Sequence, residues 1–173
     1  ISLYNSFKLA LKQANRPIVF NLLGSCNSSY GHKVKKLFCS LSSDKFKLNS
    51  FDSFVDQNTF SNCINASDFL IIPIKRTTRH TIYTEFYGYT KISGSINDII
   101  KYRKPALIDK IYPIDESLES AVKQFSGEVD LAHNIIDWSN NKEYLRRDVP
   151  KAISAYKIEK IQDDFYTNLK AIL

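Results

Sequence analysis

Methionine is absent from these 173 residues, and glycine and proline number only five each. So little Gly and Pro excludes a linker-rich chain. The 43% hydrophobic content excludes a disordered one and suffices for a packed core in a single domain of this length. No run of about 18 apolar residues is present to span a membrane, and no signal-peptide pattern opens the chain. The first residues read as the middle of a helix. With the missing methionine, that start leads us to expect a fragment of a longer protein, or a sequence from which modified methionines have dropped out.

Cysteine is also scarce. Cys26, Cys39 and Cys63 form an odd set without C-x-x-C spacing, which argues against a zinc or redox motif and for a reduced, cytoplasmic compartment. Cys39 and Cys63 fall in helical patterns beside Leu37, Phe38 and Ile64, so buried or inert thiols are expected. His32, His80 and His133 lack metal-ligand spacing, and no metal is expected.

What is abundant is positive charge, a net +6. It favours an anionic partner: a nucleoside diphosphate, lipid headgroups or nucleic acid. The basic residues gather at Lys33/Lys35/Lys36, Lys75/Arg76/Arg79, Lys101/Arg103/Lys104 and Arg146/Arg147. Charge alone does not choose among the partners.

Hydrophobic periodicity orders the chain. Leu3, Phe7, Ala10, Leu11 and Ala14 mark a helix that Asn15 and Pro17 stop, and 18–23 reads as a buried strand. Gly24-Ser25 follows at its carboxyl end, where open α/β sheets place ligands. A helix over 30–41, a strand over 46–51 and a helix over 58–65 come next. The apolar run 69–74 reads as a central parallel strand. Residues 75–92 show no periodicity and are expected to be a long functional loop. A helix, a strand over 105–108, and helices over 127–139, 142–155 and 158–173 complete the pattern. The last is expected to close the domain through Ile158, Ile161, Phe165, Leu169 and Ile172.

Ser93-Gly94-Ser95 opens the helix after the long loop. Unpaired amides and the macrodipole make such a terminus a phosphate site, and small residues allow close approach. Asp98 is expected in the first turn, where a carboxylate accepts hydrogen bonds from sugar hydroxyls. Lys91, beside the turn, is placed to neutralise a departing diphosphate. An ordinary serine cap, a helix-end acid and a solvated lysine are the plainer readings of the same residues.

Tyr89 to Asp109 resembles the donor-binding domain of GT-B glycosyltransferases, nearest the retaining family-4 group. That family carries a Glu, a Gly with a small hydroxyl residue, a second Glu, then a helix ending in Gly-x-Pro before a strand. Asp98, seven residues before Pro105, stands at the second Glu position; Thr90 replaces the first, and Arg103 replaces the helix-ending Gly. The resemblance covers the chain from Ile18 onward and includes Tyr156-Lys157-Ile158 through Phe165 as the closing helix.

The resemblance implies an α/β, Rossmann-like three-layer domain over 1–173, with a parallel sheet and a helical C-terminal end, forming one half of a GT-B enzyme of polysaccharide biosynthesis. Its donor would be a UDP- or GDP-sugar. Gly24 and Ser25 would face the diphosphate and sugar, Phe54 and Val55 lie in the stretch whose backbone contacts the base, Ser93, Gly94 and Ser95 would hold phosphate, Asp98 the ribose. No residue is assigned to catalysis and no cofactor is implied. An N-terminal acceptor-binding domain is the implied partner, no nucleic acid is expected, and a lipid-linked acceptor would bring the protein to the inner face of the membrane. Alternatives are a non-catalytic α/β module for an anionic partner such as nucleic acid, and half of a nucleotide-sugar epimerase.

Overall fold

The computed structural model describes residues 3–79 and 83–172, the side chains of 171 and 172 excepted. It is a mixed α/β structure with small parallel sheets. The chain divides into two compact units, one of residues 1–68 and 125–144, the other of 69–124 and 145–173.

In the first unit α1 (Leu3–Leu11) leads into β1 (Ile18–Ser25), α2 (Ser29–Cys39), β2 (Phe46–Phe51) and α3 (Gln57–Ala66), and α5 (Gly127–Asn141) returns to it. Strands β1 and β2 pair in parallel, Ile18 opposite Phe46 and Asn21 opposite Asn49. Aromatic rings fill the space under this pair. Phe7 on α1 meets Phe20, Phe38 and Phe46 at centroid distances of 4.6, 5.7 and 5.7 Å, and Leu131, Ile135 and Trp138 on α5 are fully buried. Asn5 donates to Glu128 and Asn140 donates to the Gln13 carbonyl, fixing α1 against α5 at both ends.

Polar order is also present here. The Asn49 amide donates to Asn21 Oδ1 at 2.8 Å, Asn21 donates to Ser67 Oγ, and Ser67 donates to the Cys63 carbonyl at the end of α3.

The second unit holds β3 (Leu70–Ile72), β4 (Thr77–Arg79), β5 (Thr84–Phe86), α4 (Gly94–Tyr102), β6 (Ala106–Asp109), β7 (Val122–Phe125), α6 (Val149–Ser154) and α7 (Ile158–Ile172). The sheet order is β3-β6-β7, with β3 and β6 parallel. Every position of β6 is buried, and Ile96 and Ile99 of α4 join Ile72, Ala106 and Ile108 in one core. The strand expected to be central, β3, is therefore the outer member of this order and β6 the middle one.

Several expectations change. Residues 75–92 contain an antiparallel hairpin, β4 with β5, where a loop was expected. Strand β7 carries Lys123 and Gln124 between its apolar ends, and this polar centre hides it from an apolar-run reading. Cys26 is buried but Cys39 is exposed, because only Phe38 of the last turn of α2 reaches the core. Helix α7 does not close a core: Ile158, Ile161, Phe165 and Leu169 are all exposed, and Ile172 lies outside the described side chains.

Helix α4 ends as the sequence leaves it to end, without glycine. Arg103 takes the left-handed C-cap conformation at φ 52°, and its N–H returns to the Ile99 carbonyl. A side chain in that conformation is strained, and Arg103 is exposed. Arg103→Gly is expected to raise stability by about 1 kcal/mol in urea denaturation. Phe7→Ala, which removes a ring shared by three aromatic contacts, is expected to lower it by about 3–5 kcal/mol in the same measurement.

Candidate functional site

The nine residues singled out in the sequence fall into two groups. Gly24, Ser25, Phe54 and Val55 belong to the first unit; Lys91, Ser93, Gly94, Ser95 and Asp98 belong to the second.

In the first group, Gly24 and Ser25 do not follow β1 but lie within it, at a register shift between Leu22 and Ser25. The strand continues past the irregularity because Ser25 pairs with Phe51 and Cys26 N–H donates to the Phe51 carbonyl at 2.8 Å. That pairing brings Gly24-Ser25 to the same carboxyl edge as the segment after β2. A Cβ on Gly24 would meet nothing within 4 Å, whereas one on Gly31 would lie 2.7 Å from the Cys26 backbone. Gly31 thus lets the first turn of α2 rest on the strand end, and Gly24 faces open space. Ser28 caps α2 by accepting from Gly31 N–H at 2.9 Å. Phe54 is 88% exposed and Val55 half-buried, immediately before Asp56, which caps α3. Lys35 and Asp52 pair at 2.7 Å beside them.

In the second group the local chemistry is closely connected. Ser93 is the N-cap of α4, its Oγ accepting a long 3.4 Å bond from Ser95 N–H, while Ile96 N–H is taken by the Ser93 carbonyl. Gly94 is open, with no atom within 4 Å of a Cβ built on it. Among the described residues its N–H has no hydrogen-bond partner. The terminus therefore offers one free amide and one weakly held one.

Asp98 is not in the first turn. The helix begins at Gly94, so Asp98 is its fifth residue, four after Gly94 and on the same face. Its carboxylate is half-buried and takes no hydrogen bond among the described residues. Burial raises its pKa above the usual aspartate range, opposed by the charge of Lys101. A half-buried carboxylate without a donor is costly unless a ligand supplies one.

Lys91 has a partner already. Its ammonium donates to Glu85 at 2.7 Å and lies 5.7 Å from the centroid of the Tyr87 ring, and the Glu85 hydrogen bond holds its pKa above that of a free lysine. This pairing needs the tight turn of residues 86–91, which brings Glu85 and Lys91 together and was not legible in the sequence. Thr90, at the position of the family's first acid, uses its hydroxyl to accept from Phe86 N–H within that turn. His80 lies outside the described residues.

Sequence reasoning passed over Asp109. It is buried at the carboxyl end of β6, and its carboxylate accepts from Ile111 N–H at 3.0 Å. An acid closing an otherwise apolar run was the available signal. Among the described residues, no group of three or more His, Cys, Asp and Glu is arranged to hold a metal ion, and no helix is long and apolar enough to cross a membrane. Comparison with family models, with curated proteins and with solved structures found no match.

The sign of the Asp98 shift gives a test. A folded-state pKa above the unfolded value means that the ionised carboxylate opposes folding, and that the penalty disappears once both states are protonated. Asp98→Asn is therefore expected to raise the melting temperature at neutral pH. The gain should shrink as pH falls through the raised pKa and vanish below the usual aspartate range, which thermal melts across that window will check.

Proposed function

We propose that this chain is the donor-binding half of a glycosyltransferase that moves a sugar from a nucleoside diphosphate to an acceptor. The observation that carries the reading is the face of α4 on which an open Gly94 and an undonated Asp98 stand four residues apart. About 6 Å of helix rise separates them, a span suited to a phosphate at the terminus and a ribose beside it. The connection from β3 through the hairpin and α4 to β6, two strands paired in parallel, supports a Rossmann-like domain.

On this reading the Gly94 and Ser95 amides accept phosphate charge, aided by the macrodipole. Asp98, ionised, receives hydrogen bonds from the ribose hydroxyls. Lys91, held by Glu85, supplies positive charge near the leaving diphosphate.

Calorimetry with UDP and with GDP tests the proposal, and absence of heat with either at millimolar concentration would sink it. Gly94→Val should abolish nucleotide binding while leaving the fold intact, since the added side chain enters empty space. Asp98→Asn should cost about 1–3 kcal/mol of affinity for a ribonucleotide and much less for its 2′,3′-dideoxy analogue. Equal losses for both ligands would remove Asp98 from the ribose.

A further inference from the structure

Residues 75–104 hold seven Lys and Arg against two acids, so this stretch carries five of the chain's six net positive charges. The structure gathers much of that charge on the β4–β5 hairpin. Thr77 pairs with Phe86 and Arg79 with Thr84, so by the alternation of a strand these four side chains share one face. All four are exposed, as are Lys75 and Arg76 just before the hairpin. Thr78 and Glu85 take the opposite, half-buried face, where Glu85 is spent on Lys91.

Large apolar side chains stand beside this charge. Phe86 is 40% exposed, Tyr89 75% and Ile92 73%. They are not loose. The turn is closed by three N–H groups, of Tyr89, Thr90 and Lys91, all directed to the Phe86 carbonyl, and by Gly88 N–H to the Lys91 carbonyl. Gly88 sits at φ 86°, so close to Pro113 that a Cβ would lie 2.4 Å from its ring, and Tyr87 packs against the core. With the turn clamped on its inner side, Tyr89 and Ile92 have no local collapse by which to leave water.

We propose that this hairpin and turn form a docking surface for an anionic lipid bilayer, Lys75 and Arg79, two residues either side of Thr77, meeting headgroup charge while Phe86, Tyr89 and Ile92 enter the interfacial layer. The charge is complementary to acidic headgroups, each basic residue near such a surface adding measurably to binding. The apolar set suits a bilayer interface better than a base stack. Aromatic rings with polar tips settle at headgroup depth, and Ile92 gains from the acyl boundary but offers no π-face to a nucleobase. The surface borders the ligand site proposed for Gly94 and Asp98, since Lys91 and Ser93 flank Ile92, but vesicle binding is read without nucleotide and does not depend on that ligand.

Flotation of the protein with phosphatidylcholine vesicles, with and without phosphatidylglycerol, tests the assignment. Binding is expected only to the acidic vesicles and should weaken as salt is added. Lys75→Gln with Arg79→Gln should lower it by about 30-fold, and Ile92→Ser roughly 10-fold, each with an unchanged circular dichroism spectrum. Equal binding to both vesicle types, no binding at low salt, or insensitivity to both variants would overturn the proposal. So would a single-stranded oligonucleotide that binds more tightly than the acidic vesicles and displaces the protein from them.

Discussion

The burial of β6 constrains everything that matters in the second unit. Ala106, Leu107 and Ile108 are wholly removed from water, and a strand covered on both faces must have a helix packed along it. Helix α4 provides one cover through Ile96 and Ile99, which fixes its rotation about its own axis. Once those two residues face the strand, Gly94 and Asp98 follow onto another face. The open glycine and the undonated acid are thus placed by the apolar packing of their near neighbours Ile96 and Ile99, and rigid placement of this kind is what a binding site needs. The strained Arg103 belongs to the same constraint, because the chain must reverse within two residues to enter β6 at Ala106.

Where hydrophobic periodicity was strong, the sequence was a sound guide. Strand β2 begins and ends at the residues its alternation marks, and α5 buries Leu131, Ile135 and Trp138 as spacing suggests. Elements held by backbone pairing were not legible. The strands Thr77–Arg79 and Thr84–Phe86 are three residues each with no apolar repeat, and their turn depends on contact between Gly88 and Pro113, twenty-five positions apart in the sequence. Helix α7 shows the opposite failure. Its apolar stripe is clear in the sequence, yet a stripe states only that something is to be covered and not what covers it.

The candidate site was legible in part for the same reason. A serine followed by glycine before an amphipathic stretch announces a helix start, so Ser93 and Gly94 could be named from residue type and order. Moving the start by a single residue carries Asp98 from the first turn to the second. There the macrodipole matters less and burial matters more, so the carboxylate becomes an unfavourable group in the folded chain rather than a favourable one. The pairing of Lys91 with Glu85 lay beyond reach, since nothing in residue spacing reveals a turn that folds six positions back on themselves.

The Asn21–Asn49–Ser67 chain has a bearing on how the first unit finds its arrangement. Two parallel strands have no hairpin to set their alignment, so side-chain contacts across and beneath them must set it. Sliding β2 by one position would part the two amides and set Asn49 opposite Phe20 or Leu22, while in the native offset Asn49 donates to Asn21 and Asn21 to Ser67. The network acts as a proofreading element: it adds little to the depth of the native well, but it raises the misaligned alternatives, so that a sheet of only two strands is held to one register.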